Sequence, residues 1–278
     1  MSPSNEFQES TQRDSTPESK SAVYLSPFFL LGSYIIALLL SGAIHELGHG
    51  LAMALVSVDF RLVLNPFGMS MAQPLAPIPQ DSFLFVVASG MIIEVVVGTI
   101  VFLSLWRWRR PMLVPILLLG PLSYLSVSGY LLAGTIVPGS DLALMISAGI
   151  PYPLLQIIGI LLMVFGAFAF LLLFPLLGIS TETTLLRIFM ILLVGLTVHG
   201  FGMILFALIT NPSELYVGVA NVIAMFITVS ILSIVYTRYK MSIDRRIHTD
   251  VAEPSPRIVC TALAFALGFI IFELLFFN

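Results

Sequence analysis

His45, Glu46 and His49 stand inside a long apolar run from about residue 27 to 58. Residues four apart on a helix lie one above the other on the same face, so His45 and His49 can grip a single ion between them. Glu46 follows the first histidine, which lets its carboxylate reach an open coordination position and take a proton from a water there. The chemistry such a set performs is metal-assisted hydrolysis. A charged residue inside a membrane span costs about 2–3 kcal/mol on insertion scales, so ionisable groups kept there have a function or a partner. The chain has four histidines in all, and two of them fall into this pattern.

The elements that must position these residues are membrane spans. Hydrophobic residues make up 58% of the 278 and charged residues 10%, well below the share a soluble domain carries. Residues 1–22 are polar and read as a disordered tail. No cleavable signal peptide is expected, because this tail is polar and the apolar run after it is too long for one. From 23 to 278 the chain reads as one transmembrane domain: an all-α polytopic helix bundle of about seven spans, at about 27–58, 82–105, 112–136, 153–179, 184–209, 214–236 and 257–277. Residues 59–81 break the pattern. Phe60, Leu62 and Leu64 alternate with Arg61 and Val63, Asn65-Pro66-Phe67-Gly68 reads as a turn, and Pro74, Pro77 and Pro79 end regular structure, so a short strand or hairpin is expected here. The one cysteine, Cys260, excludes a disulfide framework and a thiolate metal site. Nothing in the charge pattern points to nucleic acid.

Counting Lys and Arg on alternate sides of seven spans puts all but Arg61 of the twelve on the side of the N-terminal tail. That bias predicts a cytoplasmic N-terminus and an integral, multi-pass protein. Trp106-Arg107-Trp108-Arg109-Arg110 marks the interface after the second span.

A catalytic zinc takes three protein ligands and keeps one position open. Asp141, Glu94, His199 and Asp59 are the remaining candidates for the third. Asp141 follows the far end of the third span, on the same side of the membrane as the histidines, and comes after Pro138-Gly139, where a broken helix can turn a carboxylate inward. It is the preferred third ligand, against the alternative that it caps the helix following it. Glu94 either partners a metal-bound histidine through its outer nitrogen or packs as a protonated carboxyl. His199 sits mid-span as an outer hydrogen-bonding group or as a neutral imidazole bonded to a neighbouring helix.

His45-Glu46-Leu47-Gly48-His49 on an early span, with Asp141 about ninety residues later near the start of a membrane segment, resembles the site-2 protease family of intramembrane zinc metalloproteases. The resemblance is to the compact branch without inserted domains. It implies one zinc per chain held by His45, His49 and Asp141, with Glu46 activating the water. It also implies cleavage of a peptide bond in a locally unwound membrane-protein substrate. The substrate would lie as an added strand against the segment after the motif helix, here Phe60, Leu62, Leu64 and Asn65. The family pattern has Gly directly after the third ligand, where this chain has Leu142. The match covers the first three spans and the stretch around Asp141. Two other functions are compatible with the same residues: a divalent-metal transporter, which needs a further set of polar ligands along its path, and a binding or scaffold protein that keeps the fold without the chemistry. The metal itself is read from ligand type and is open to other divalent ions.

Overall fold

The structure, a computed structural model, describes residues 25–63, 70–108, 110–133, 140–179 and 183–193, together with 204, 231 and 234–238. The described chain is mainly helical, with one two-stranded sheet. Helix α1 spans Pro27–Leu55, strands β1 and β2 span Phe60–Val63 and Met71–Pro74, and helix α2 spans Gln80–Trp106. After a 3₁₀ turn come α3 (Val114–Leu117), α4 (Leu119–Ala133), the short α5 (Asp141–Ser147) and α6 (Tyr152–Leu173). Four helical stretches among the described residues are long and apolar enough to cross a membrane: Pro27–Leu55, Gln80–Trp106, Val114–Leu132 and Tyr152–Leu177. These coincide with the first four expected spans. The fifth to seventh fall largely outside the described residues, as does the N-terminal tail.

Helix α1 stops three residues short of the expected end, and the reason is local. Val58 N–H bonds back to the Met53 carbonyl and Ser57 N–H to that of Ala54, the crossed pair of bonds that closes a helix C-terminus. Ser57 takes the left-handed conformation this requires, with φ 59°. No glycine marks the position, so the sequence concealed the stop. Val58 then packs with Met53, Ala52 and Val86 in a small apolar cluster that also takes in Phe60, Ala72 and Ile78. That cluster fastens the hairpin to α1 and α2.

The expected hairpin is present. β1 and β2 pair antiparallel with Phe60 opposite Pro74 and Leu62 opposite Ala72. The alternation is that of the sequence: Arg61 and Gln73 are exposed while Phe60 and Ala72 turn to the helices. The turn at 65–68 lies outside the described residues. The third membrane-length stretch is interrupted at Leu118, because Pro121 has no N–H to give the Leu117 carbonyl.

Helices α1 and α2 run antiparallel and approach closely at Gly48. A Cβ there would come within 2.8 Å of the Ser89 carbonyl and 2.9 Å of Gly90 Cα. Helix α6 lies on α4 in the same way, with Gly159 against Leu131 and Leu132 and Gly166 against Tyr124 and Leu125. Small residues at such crossings let backbones meet where hydrocarbon solvent gives no drive for burial. A second apolar cluster, Met91, Val127, Leu131, Leu142 and Leu155, ties α5 to α2, α4 and α6. The two clusters flank the site described next.

Candidate metal centre

Two rows of residues, each with a four-residue repeat, face one another across the α1–α2 contact. On α1 they are Ser41, His45 and His49; on α2 they are Glu94, Gly90 and Val86. Because the helices are antiparallel, the rows pair in reverse order. Glu94 receives the Ser41 hydroxyl at 2.5 Å and the His45 Nδ1–H at 2.8 Å, and the Val86 carbonyl receives the His49 Nδ1–H at 2.8 Å. Gly90 lies between them as a gap: a Cβ built on it would collide with the His49 imidazole. All of Ser41, His45, His49 and Glu94 are buried.

These outer bonds fix the tautomers. A carbonyl oxygen can only accept, so His49 carries a proton on Nδ1 and, as the neutral ring, presents its lone pair on Nε2; the Glu94 carboxylate sets His45 the same way. The two Nε2 atoms stand 3.2 Å apart. Asp141 completes the group, its Oδ2 2.9 Å from His45 Nε2 and 3.3 Å from His49 Nε2. One ligand atom from each of the three residues thus lies within 4.8 Å of the others, and the group could hold a metal ion. In a tetrahedral zinc site with bonds of 2.0–2.1 Å the ligand atoms are about 3.3–3.4 Å apart; the His45–His49 and His49–Asp141 edges of this triangle are close to that, and the His45–Asp141 edge, at 2.9 Å, is shorter. Two lone pairs and a carboxylate oxygen at such distances repel one another unless a proton or a metal cation lies among them. The donor set of two imidazoles and a carboxylate could hold a divalent metal ion.

Asp141 reaches the histidines because it does not cap its helix. Ser140 does, its side chain accepting the Ala143 N–H at 3.3 Å, and Asp141 is the first residue of α5. The next residue, Leu142, is fully buried in the cluster beneath. A leucine where the resembled family has glycine is here the anchor that holds the carboxylate in place. Asp141 lies outside the membrane-length helices.

Glu46 occupies the neighbouring face of α1 and points to the hairpin. Its Oε2 accepts the Ala72 N–H of β2 at 2.7 Å. Of the expected strand residues, Phe60 and Leu62 are in β1, and Leu64 and Asn65 lie outside the described residues. The strand that touches Glu46 is β2. His199 also lies outside the described residues. Asp59 precedes β1, where its backbone carbonyl accepts from Leu75 N–H at 2.8 Å, and it is not in the ligand group.

Five contributors went unnoticed in the sequence: Ser41, Gly90 as a gap, the Val86 carbonyl, the Ala72 amide and Tyr130, whose ring on α4 stacks on His45 with centroids 5.4 Å apart and planes at 26°. Ser41 carried a signal, being a polar residue four before His45 in the same apolar run. Backbone groups such as the Val86 carbonyl and the Ala72 amide carry none. Compared with protein-family models, curated proteins and solved structures, the chain matches none.

Proposed function

We propose that this chain is a membrane-embedded zinc metalloprotease that hydrolyses peptide bonds of membrane-associated substrates. The observation that carries this reading is the convergence of His45, His49 and Asp141 on one point, with the Glu46 carboxylate on the adjacent face of the same helix. The earlier resemblance to the site-2 protease family rests on the same residues. In the full reading the chain crosses the membrane seven times with its N-terminus in the cytoplasm, and each chain holds one zinc.

Zinc bound by these three residues would supply Lewis acidity, lowering the pKa of a water and polarising the scissile carbonyl. The chain's own groups do the rest. Ser41 and Glu94 fix the His45 imidazole, Val86 and Gly90 fix that of His49, and Tyr130 covers one face of His45. Glu46 takes the proton from the attacking water and can return it to the leaving amine. The hairpin edge beside Glu46 offers backbone groups to an unwound substrate, the mode in which an extended peptide adds to a sheet. Such a substrate must lose its helical bonds before cleavage, and strand pairing at the site compensates for part of that loss.

The transporter reading needs a second group of ligands on the way across the membrane, and among the described residues only one such group occurs. The test of the proteolytic reading is Glu46→Gln in the detergent-purified protein. The charge and proton-accepting capacity go while the size stays, so cleavage of an unfolded casein chain should fall by about 10²–10⁴-fold with metal content unchanged. Undiminished cleavage in that variant would sink the mechanism.

A further inference from the structure

The hairpin register decides which backbone groups of β2 are already engaged. Leu75 N–H donates to the Asp59 carbonyl, so the 59–75 pair is hydrogen-bonded, and pairs alternate along an antiparallel ladder. Arg61–Gln73 and Val63–Met71 are therefore bonded pairs. Ala72 and Pro74 belong to the other kind and turn their backbone groups away from β1. Proline has no N–H. Along β2 the outer edge consequently offers a single amide donor, Ala72 N–H, beside the outward carbonyls of Ala72 and Pro74. Among the described residues no strand pairs with this edge, and Met71, Gln73 and Pro74 are exposed. The one donor is nevertheless taken, by Glu46 Oε2 at 2.7 Å.

We propose that the Ala72–Glu46 hydrogen bond is a latch that substrate releases. An extended peptide adding to the outer edge of β2 places one of its own carbonyls on the Ala72 N–H, and the displaced Glu46 carboxylate is then free to serve the attacking water. The inference rests on the proteolytic reading and adds its regulation. Its reason is competition for one proton: a single N–H makes one well-directed bond, so Glu46 and an incoming strand cannot both hold it. The resting site keeps its base tied to the strand edge, and full activity requires a correctly paired strand. The same edge sets a substrate preference. The substrate residue opposite Ala72 must give its own N–H to the Ala72 carbonyl, so proline at that position is rejected.

The test replaces the amide at Ala72 by a backbone ester in the full-length protein, which removes the N–H and keeps the methyl side chain. Two probes are compared: a fluorogenic dipeptide amide, too short to pair along β2, and an unfolded casein chain. Metal content serves as the check on folding. The latch predicts that kcat on the dipeptide rises about threefold or more, while KM for casein rises because a pairing bond is lost. An equal fall in kcat on both probes would mean that the amide merely positions Glu46; the latch would be wrong and the proteolytic reading would stand. Absence of any Glu46-dependent cleavage by the wild-type protein would overturn that reading and the latch with it. Hydrogen exchange at the Ala72 amide gives a readout free of activity and of the ester. Protection should be present in the wild type, lost in Glu46→Ala and regained by Glu46→Ala on adding casein. Protection unchanged by Glu46→Ala overturns the latch.

Discussion

At the scale of single residues, the site is a problem in aiming lone pairs. Two imidazoles on one helix face cannot converge unless something fixes each ring, and here a carboxylate and a backbone carbonyl from α2 do so. Glu94→Gln should therefore weaken metal binding by about 10–100-fold, the usual effect of removing an outer hydrogen bond from a ligating histidine, as read by competition with a chelator. Gly90→Ala should do at least as much, because its methyl group would occupy the place of the His49 ring, whereas Gly129→Ala, with open space around it, should leave affinity unchanged. The ligands bind metal in their unprotonated forms, so protons compete with it. Metal occupancy should fall as pH is lowered and recover as it is raised; occupancy that rose on acidification would argue against histidine ligation. His45, Glu46, His49 and Asp141 were legible as candidates from type and spacing. The Val86 carbonyl, the gap at Gly90 and the Ala72 amide were not, since a backbone group or an absence of side chain looks the same wherever it occurs in a sequence.

At the scale of elements, each ligand depends on how its helix begins, ends or is held. Helix α5 is only seven residues long and is positioned by a cap and an anchor. Ser140→Ala should cost about 1 kcal/mol through loss of the cap. Leu142→Ala should cost about 2–5 kcal/mol by opening a cavity in the cluster beneath, and should also lower metal affinity because Asp141 is the adjacent residue. Thermal unfolding followed with and without added zinc separates the two effects. If Leu142→Ala destabilised the fold but bound metal normally, the anchoring role would be refuted. The hairpin was legible because its alternation and prolines are strong local signals. The end of α1 was not, because a serine took the left-handed position that a glycine usually announces. The identity of the capping residue was also hidden: Ser140 and Asp141 are both good caps, and only tertiary contacts decide which one performs the task and which is released to the site.

For the whole molecule, composition alone gave the class. Four described helices are long and apolar enough to cross a membrane, and their positions match the first four apolar runs. The pairing of α1 with α2 could not be read in the same way. Their apolar faces are nearly continuous, so periodicity does not mark which side meets a neighbour; close approach at Gly48 and the polar rows of Ser41, His45, His49 and Glu94 decide it. The central claim is that the long-range approach of Asp141 to His45 and His49 builds one metal site. It is tested most directly by the zinc content of the purified wild-type protein beside His49→Ala and Asp141→Ala. About one zinc per chain in the wild type, lost in both variants, is the expected result. Zinc retained in Asp141→Ala, or no bound metal in the wild type, would contradict it.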